Sequence, residues 1–235
     1  MINGKSLGFT LLELTVVLLI LIALAGVVVP FVHGTVEQAT CQATDATLAA
    51  VKEAIMGGPQ GPGYFHDMGG HFPEYKDNSG GDHYHLHFLF ATSTFTSPKQ
   101  DLYPPELNKP GLGLGWRGPY LQGGGKLPSS LDASFDDPQY VHFKHTDFKE
   151  DFFVLDHYRW RNPIVLQVPD DNDSDSDDCS SYGYAEGSWC ARLVSAGPDG
   201  KLDTKITDAD ASERGDDRVL FLRIPDPKGN LPCVK

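Results

Sequence analysis

Four groups of residues in this 235-residue chain could do chemistry. The first is the run His83-Tyr84-His85-Leu86-His87. Its alternation predicts a strand with three histidines on one face. Imidazoles suit zinc or copper. No carboxylate or Cys at ligand spacing completes a set, so the expectation is a partly exposed structural strand. The second group is the acidic stretch Pro169 to Asp178, with Asp170, Asp171, Asp173, Asp175, Asp177 and Asp178. It lacks the sixth-position glycine and the distal Glu of an EF-hand loop and reads as a solvated loop. The third is four cysteines, Cys41, Cys179, Cys190 and Cys233. No CxxC pair occurs, which argues against structural zinc. The fourth is a single carboxylate, Glu13, at the head of a long apolar run. No nucleophile–base arrangement and no glycine-rich phosphate loop stands at informative spacing, so an enzyme is not expected.

Glu13 needs an explanation first. Leu14 to Phe31 carries Thr15 as its one polar side chain, and Phe9 to Leu12 extends the run at its start. That length suits a bilayer, which needs about 20 residues. In lipid a helix is the expected form, because it satisfies its own backbone groups. A carboxylate there costs about 2.5–3.5 kcal/mol and is normally paired with a cation. A cut after Gly8 would give Phe9 a free amine and make Glu13 the fifth residue, one helical turn away. That amine on one subunit could meet Glu13 of a neighbour and fix the register between them.

Gly8, Phe9, Thr10, Leu11, Leu12 and Glu13, followed by the apolar run, resemble the signature of type IV prepilins. That family includes type IV pilins and the pseudopilins of type II secretion. The resemblance implies a leader over 1–8, and a prepilin peptidase that cuts between Gly8 and Phe9 and methylates the Phe9 amine. It also implies that Pro30 is the proline that kinks the helix, since proline removes a backbone donor. Two other readings compete. Ala23-Leu24-Ala25 before Gly26 fits a secretory cleavage site, with Lys5 as the basic start. Glu13 would then sit in the apolar core, where charge hinders insertion. A plain membrane anchor with no assembly role is the other.

The elements that must present these groups follow from periodicity. The helix is expected over 9–56, with 9–31 as its transmembrane part and Gly57-Gly58-Pro59 as its stop. Val36, Ala39, Ala43, Ala46 and Ala50 recur at three- and four-residue steps. They predict a narrow face lying on the domain's own sheet. Residues 57–235 form the globular domain. Strands are expected at Val141–Phe143, Phe152–Leu155, Ile164–Val168, Ala191–Ala196 and Arg218–Leu222. Gly115 to Leu121 reads as a turn whose aromatics plug the core. The cysteines permit three connectivities. The short separation favours Cys179–Cys190, which leaves Cys41–Cys233 to tie the C-terminus to the helix.

The segment 195–222 resembles the C-terminal calcium loop of the major pseudopilin of type II secretion. Ser195-Ala196-Gly197-Pro198-Asp199-Gly200 and the later pair Asp216-Asp217 carry the likeness. The resemblance implies side-chain ligands from Asp199, Asp216 and Asp217 and backbone oxygens near Ala196 and Lys201. Asp203, Asp208 or Asp210 are alternatives, because the loop is longer than in that family. Calcium takes six to eight oxygens, and such a loop can gather them.

Composition bounds the partners. The net charge is -13, and losing Lys5 with the leader takes it to -14. Such a surface repels phosphate backbones, so no nucleic acid partner is expected. The expected fold is α+β: a long N-terminal transmembrane and assembly helix on a small antiparallel sheet domain with long loops, the pilin fold. The expected work is mechanical, as a subunit of a helical filament, with a type II secretion pseudopilin ahead of a surface pilus subunit for adhesion or motility. The resemblance implies other minor pilins, an inner-membrane assembly platform and its ATPase as partners, and lipid around the helix before assembly. The domain would lie in the periplasm and the anchor in the inner membrane. An exported metal-dependent enzyme is the reading from another class.

Overall fold

The computed structural model describes residues 10–76, 82–84, 86–90, 116–122, 163–169, 187–206, 211–230 and 233. The side chains of 28–34, 74–76, 82–84, 187 and 188 are outside that description. Helix α1 spans Leu11–Met56, 46 residues, and follows the chain without interruption through position 30. At 1.5 Å per residue it is about 70 Å long. Thr10 is its N-cap, and Glu13 closes a capping box with it. Gly57 ends it, as the Gly-Gly-Pro stop predicts. Residues 1–9, which include the proposed cleavage point, lie outside the described residues.

The two halves of α1 differ. Large apolar side chains from Leu11 to Val27 are all exposed, from 47% at Val16 to 83% at Leu11. They occupy every side of the helix. Among the described residues no helix is long and apolar enough to cross a membrane.

The second half carries the domain, on a face other than the one predicted. Cys41, Thr44, Leu48, Val51 and Ile55 are buried, at alternating steps of three and four. Val36, Ala39, Ala46 and Ala50 are exposed and Ala43 is half-buried. The alanine face therefore points away from the sheet. Burial follows apolar area, and Leu48, Val51 and Ile55 remove far more of it from water than alanines do.

Helix α2 (Tyr64–Asp67) returns against α1. Strands β1 (Glu74–Lys76) and β2 (Asp82–Tyr84) pair antiparallel. The predicted histidine strand ends at Tyr84. Leu86–Leu89 instead winds into a 3₁₀ turn with all four side chains buried. A strand buries consecutive residues only where both of its faces are covered, whereas a single turn can direct all four into one core. His87 sits in that turn beside Phe88, beyond the strand that holds His83. His85 lies outside the described residues.

Strands β3 (Val165–Gln167), β4 (Arg192–Ser195) and β5 (Arg218–Phe221) form one antiparallel sheet in that order. All three lie within predicted strands. The strands expected at 141–143 and 152–155 lie outside the described residues. Leu166, Leu193 and Leu222 face α1, with Leu48, Val51 and Ile55. Val165, Val194, Val219 and Phe221 face the other way, onto Leu202, Ala211 and Ile224. Both faces are thus covered, one by a helix and one by loop. Trp116 and Tyr120 pack at the edge of the first core, and the Trp116 indole donates to the Phe88 carbonyl at 2.8 Å.

Three ties fasten α1 to the sheet and the chain's end. Cys41 and Cys233 form a disulfide. Arg218 donates to Asp45 through two nitrogens, Nε to Oδ1 at 2.8 Å. Lys52 Nζ donates to the Phe221 carbonyl at 2.7 Å. Burial of Lys52 lowers its pKa below the ordinary lysine value. Cys190 is disulfide-bonded, and Cys179 lies outside the described residues.

Candidate metal centre

The β4–β5 register places Ser195 opposite Arg218. The residues just beyond, Ala196 to Gly200 and Gly215 to Asp217, therefore face each other at one end of the sheet. Two glycines make the approach possible. Gly197 has φ +59°, and a Cβ there would meet the Asp216 carbonyl oxygen at 2.4 Å. Gly215 has φ +51°, and a Cβ there would overlap the Asp203 carboxylate. Both conformations also favour glycine over any L side chain.

Three carboxylates meet in this space. Asp199, Asp203 and Asp216 each bring an oxygen within 4.8 Å of the others. The Asp199 amide donates to Asp216 Oδ2 at 3.2 Å, and the Lys201 amide donates to Asp199 Oδ1 at 2.8 Å. Asp216 has its pKa raised, first by burial and then by the charge of Asp199. Three hard oxygen donors of like charge, crowded together, fit a hard divalent cation such as calcium.

The cluster brings together part of the expected set. Asp199 and Asp216 are there, and Ala196 and Lys201 bracket the turn between them. Asp217 is not with them. It points inward, 3% exposed, and its Oδ2 accepts from the Thr204 amide at 2.7 Å. Its Oδ1 is buried without a well-formed hydrogen bond, as is the Thr204 hydroxyl. Burial pushes the Asp217 carboxyl up to about 7, against a smaller opposing effect of Thr204. Asp203 takes the third place, one of the alternatives open in the sequence. The signal for it is Gly215, whose missing Cβ leaves room for that carboxylate. Asp208 and Asp210 lie outside the described residues.

A pH dependence follows in chelator. The folded pKa of Asp217 lies above its unfolded value of about 3.9. Its contribution to stability is complete below that value and is lost as pH rises through about 7. Without calcium, segment 195–222 is expected to become steadily more protease-sensitive between about pH 4 and about pH 7. Saturating calcium, which favours the carboxylates, is expected to protect it across that range. Cleavage kinetics that are flat with pH and indifferent to chelator would count against the site.

At the other end of the chain, Thr10 donates to Glu13 Oε2 from its amide at 3.1 Å and from its hydroxyl at 3.0 Å. The Glu13 amide donates to Thr10 Oγ1 at 3.3 Å. Glu13 thus caps its own helix, a role the sequence reading did not give it. Phe9 and Gly8 lie outside the described residues, and so does the side chain of Pro30. No family model matches the chain, and no curated protein or solved structure matches it.

Proposed function

We propose that this chain is a subunit of a type IV pilus-like filament, in the manner of a type II secretion pseudopilin. The observation that carries the reading is the exposed apolar half of α1, from Leu11 to Val27. Among the described residues nothing covers it, and it continues as one helix into the half that holds the domain. A helix apolar on all sides needs lipid or other helices around it. Lipid serves before assembly, and helices of other copies serve after it. One surface meeting a different surface of the next copy generates an open helical array.

The prepilin-like residues Gly8 to Glu13 supply the processing step, a cut after Gly8 by a prepilin peptidase. The closed Cys41–Cys233 bridge suits an oxidising compartment and hence a periplasmic domain. The carboxylate cluster holds calcium in a structural role, fixing a loop that has little secondary structure of its own. The work of the chain is mechanical. An assembly platform and its ATPase extract subunits from the inner membrane and add them to the filament.

The N-terminal mass of the protein taken from native membranes tests this reading. A chain that starts at N-methylated Phe9 is expected. A chain that starts at Gly26 means ordinary secretion and removes the assembly helix.

A further inference from the structure

Arg192 is fully buried on β4, where an apolar side chain would pack at no desolvation cost. It lies over the Phe221 ring, 5.8 Å from its centroid. Its Nε donates to Gln167 Oε1 at 2.9 Å, and its Nη2 donates to the Lys205 carbonyl at 2.7 Å. Gln167 is itself 3% exposed, on β3, and its Nε2 donates to the Thr204 carbonyl at 2.8 Å. The Thr204 amide is held in turn by Asp217. Three consecutive peptide groups of the loop are thus fixed, from β3, from β4 and from the residue just before β5. The residue next to them is Asp203, whose carboxylate fills the space beside Gly215.

A planar amide is suited to this place. The oxygen of Gln167 is taken by Arg192, which fixes which way the amide points. Its nitrogen can then only donate, and the acceptor it finds is the loop carbonyl. The loop between Asp203 and Lys205 has no strand or helix to set its backbone. Its position is instead set by these side chains, reaching up from the sheet floor. A carboxylate that must meet a cation to within a fraction of an ångström needs such support.

We infer that Gln167, oriented by Arg192, is the positioning residue of the cation site, holding Thr204 so that the Asp203 carboxylate meets those of Asp199 and Asp216. The inference rests on the calcium reading above and adds two sheet residues to it, neither of which touches the cation. It also explains why two polar side chains stand in the covered interior of the sheet.

The full chain in detergent micelles, titrated with calcium alone, tests it. Gln167→Glu keeps an acceptor for Arg192 but cannot donate to Thr204, and Gln167→Leu loses both. Each is expected to weaken calcium binding at least tenfold at a temperature where circular dichroism shows it folded. In chelator, each is also expected to speed hydrogen exchange at the Thr204 amide. Leu166→Ala is the control, since it opens the opposite face of the same strand. It is expected to lower the melting temperature while leaving calcium affinity within about twofold of wild type. Gln167 variants that bind calcium as tightly as wild type overturn the inference alone. A Leu166→Ala loss as large as theirs also overturns it, because the effect would then be general loosening. A wild-type chain that binds no calcium sinks the calcium reading and this inference with it.

Discussion

Glu13→Gln is expected to leave the chain inserted and folded while reducing filament about a hundredfold. The substitution separates two roles of one side chain. As a cap, the Glu13 carboxylate accepts from Thr10. Glutamine at the same position can still accept that bond, so the helix start survives. As a charge, Glu13 is proposed to meet the Phe9 amine of an adjoining subunit among the apolar helices of the filament. Glutamine removes the charge and leaves the amine unpaired in an apolar setting. Breaking a buried pair by removing one partner costs about 3–5 kcal/mol. At 1.4 kcal/mol per factor of ten, the lower end already gives about a hundredfold. Glu13→Ala loses the cap as well, at about 1 kcal/mol more. Filament yields from electron microscopy, normalised to membrane-inserted subunit, decide it. Normal filaments from Glu13→Gln would remove the charge pairing and leave the carboxylate as a helix cap.

The second large effect is expected from the Cys41→Ala/Cys233→Ala double variant. The bridge joins residues 192 positions apart. Cross-links over such long loops restrict the unfolded chain most, and removing a native one typically costs about 2–5 kcal/mol. That is a large share of a typical stability of about 5–15 kcal/mol. With a urea slope of about 2 kcal/mol per molar, the unfolding midpoint should fall by about 1–2.5 M. The double variant is preferable to reductant, because Cys190 is disulfide-bonded too. A midpoint within error of wild type would mean that Asp45–Arg218 and the core hold the domain on α1 unaided.

Much of this architecture was legible from local pattern. The stop at Gly57, the three strands and the turn at Gly197 each have a local cause, in glycine, in β-branched runs or in turn chemistry. The faces were harder. Two stripes of helical period overlap in α1, Ala39-Ala43-Ala46-Ala50 and Cys41-Thr44-Leu48-Val51-Ile55. Period alone does not choose between them, and side-chain size does. The histidine run is a strand only as far as Tyr84, for a related reason. Its alternation is real, but Leu86 to Leu89 are all needed inside. The carboxylate cluster was half legible. The turn located Asp199 and Asp216, while the choice of Asp203 over Asp217 depends on which carboxylate turns inward to Thr204. The support from Gln167 and Arg192 crosses strands far apart in sequence, and no spacing rule exposes it.

The three ties between α1 and the rest of the domain have a bearing on how the chain transmits force. Cys41, Asp45 and Lys52 lie along one side of the helix, over about three turns. A pull along the helix axis loads the disulfide, the Asp45–Arg218 pair and the Lys52–Phe221 bond side by side, in shear, and divides the tension among them. Peeling them one at a time would require a pull across the axis. A motor that draws the helix lengthwise out of a membrane would therefore carry the whole domain with it as a stiff handle. A sideways tug on the domain would meet a softer joint.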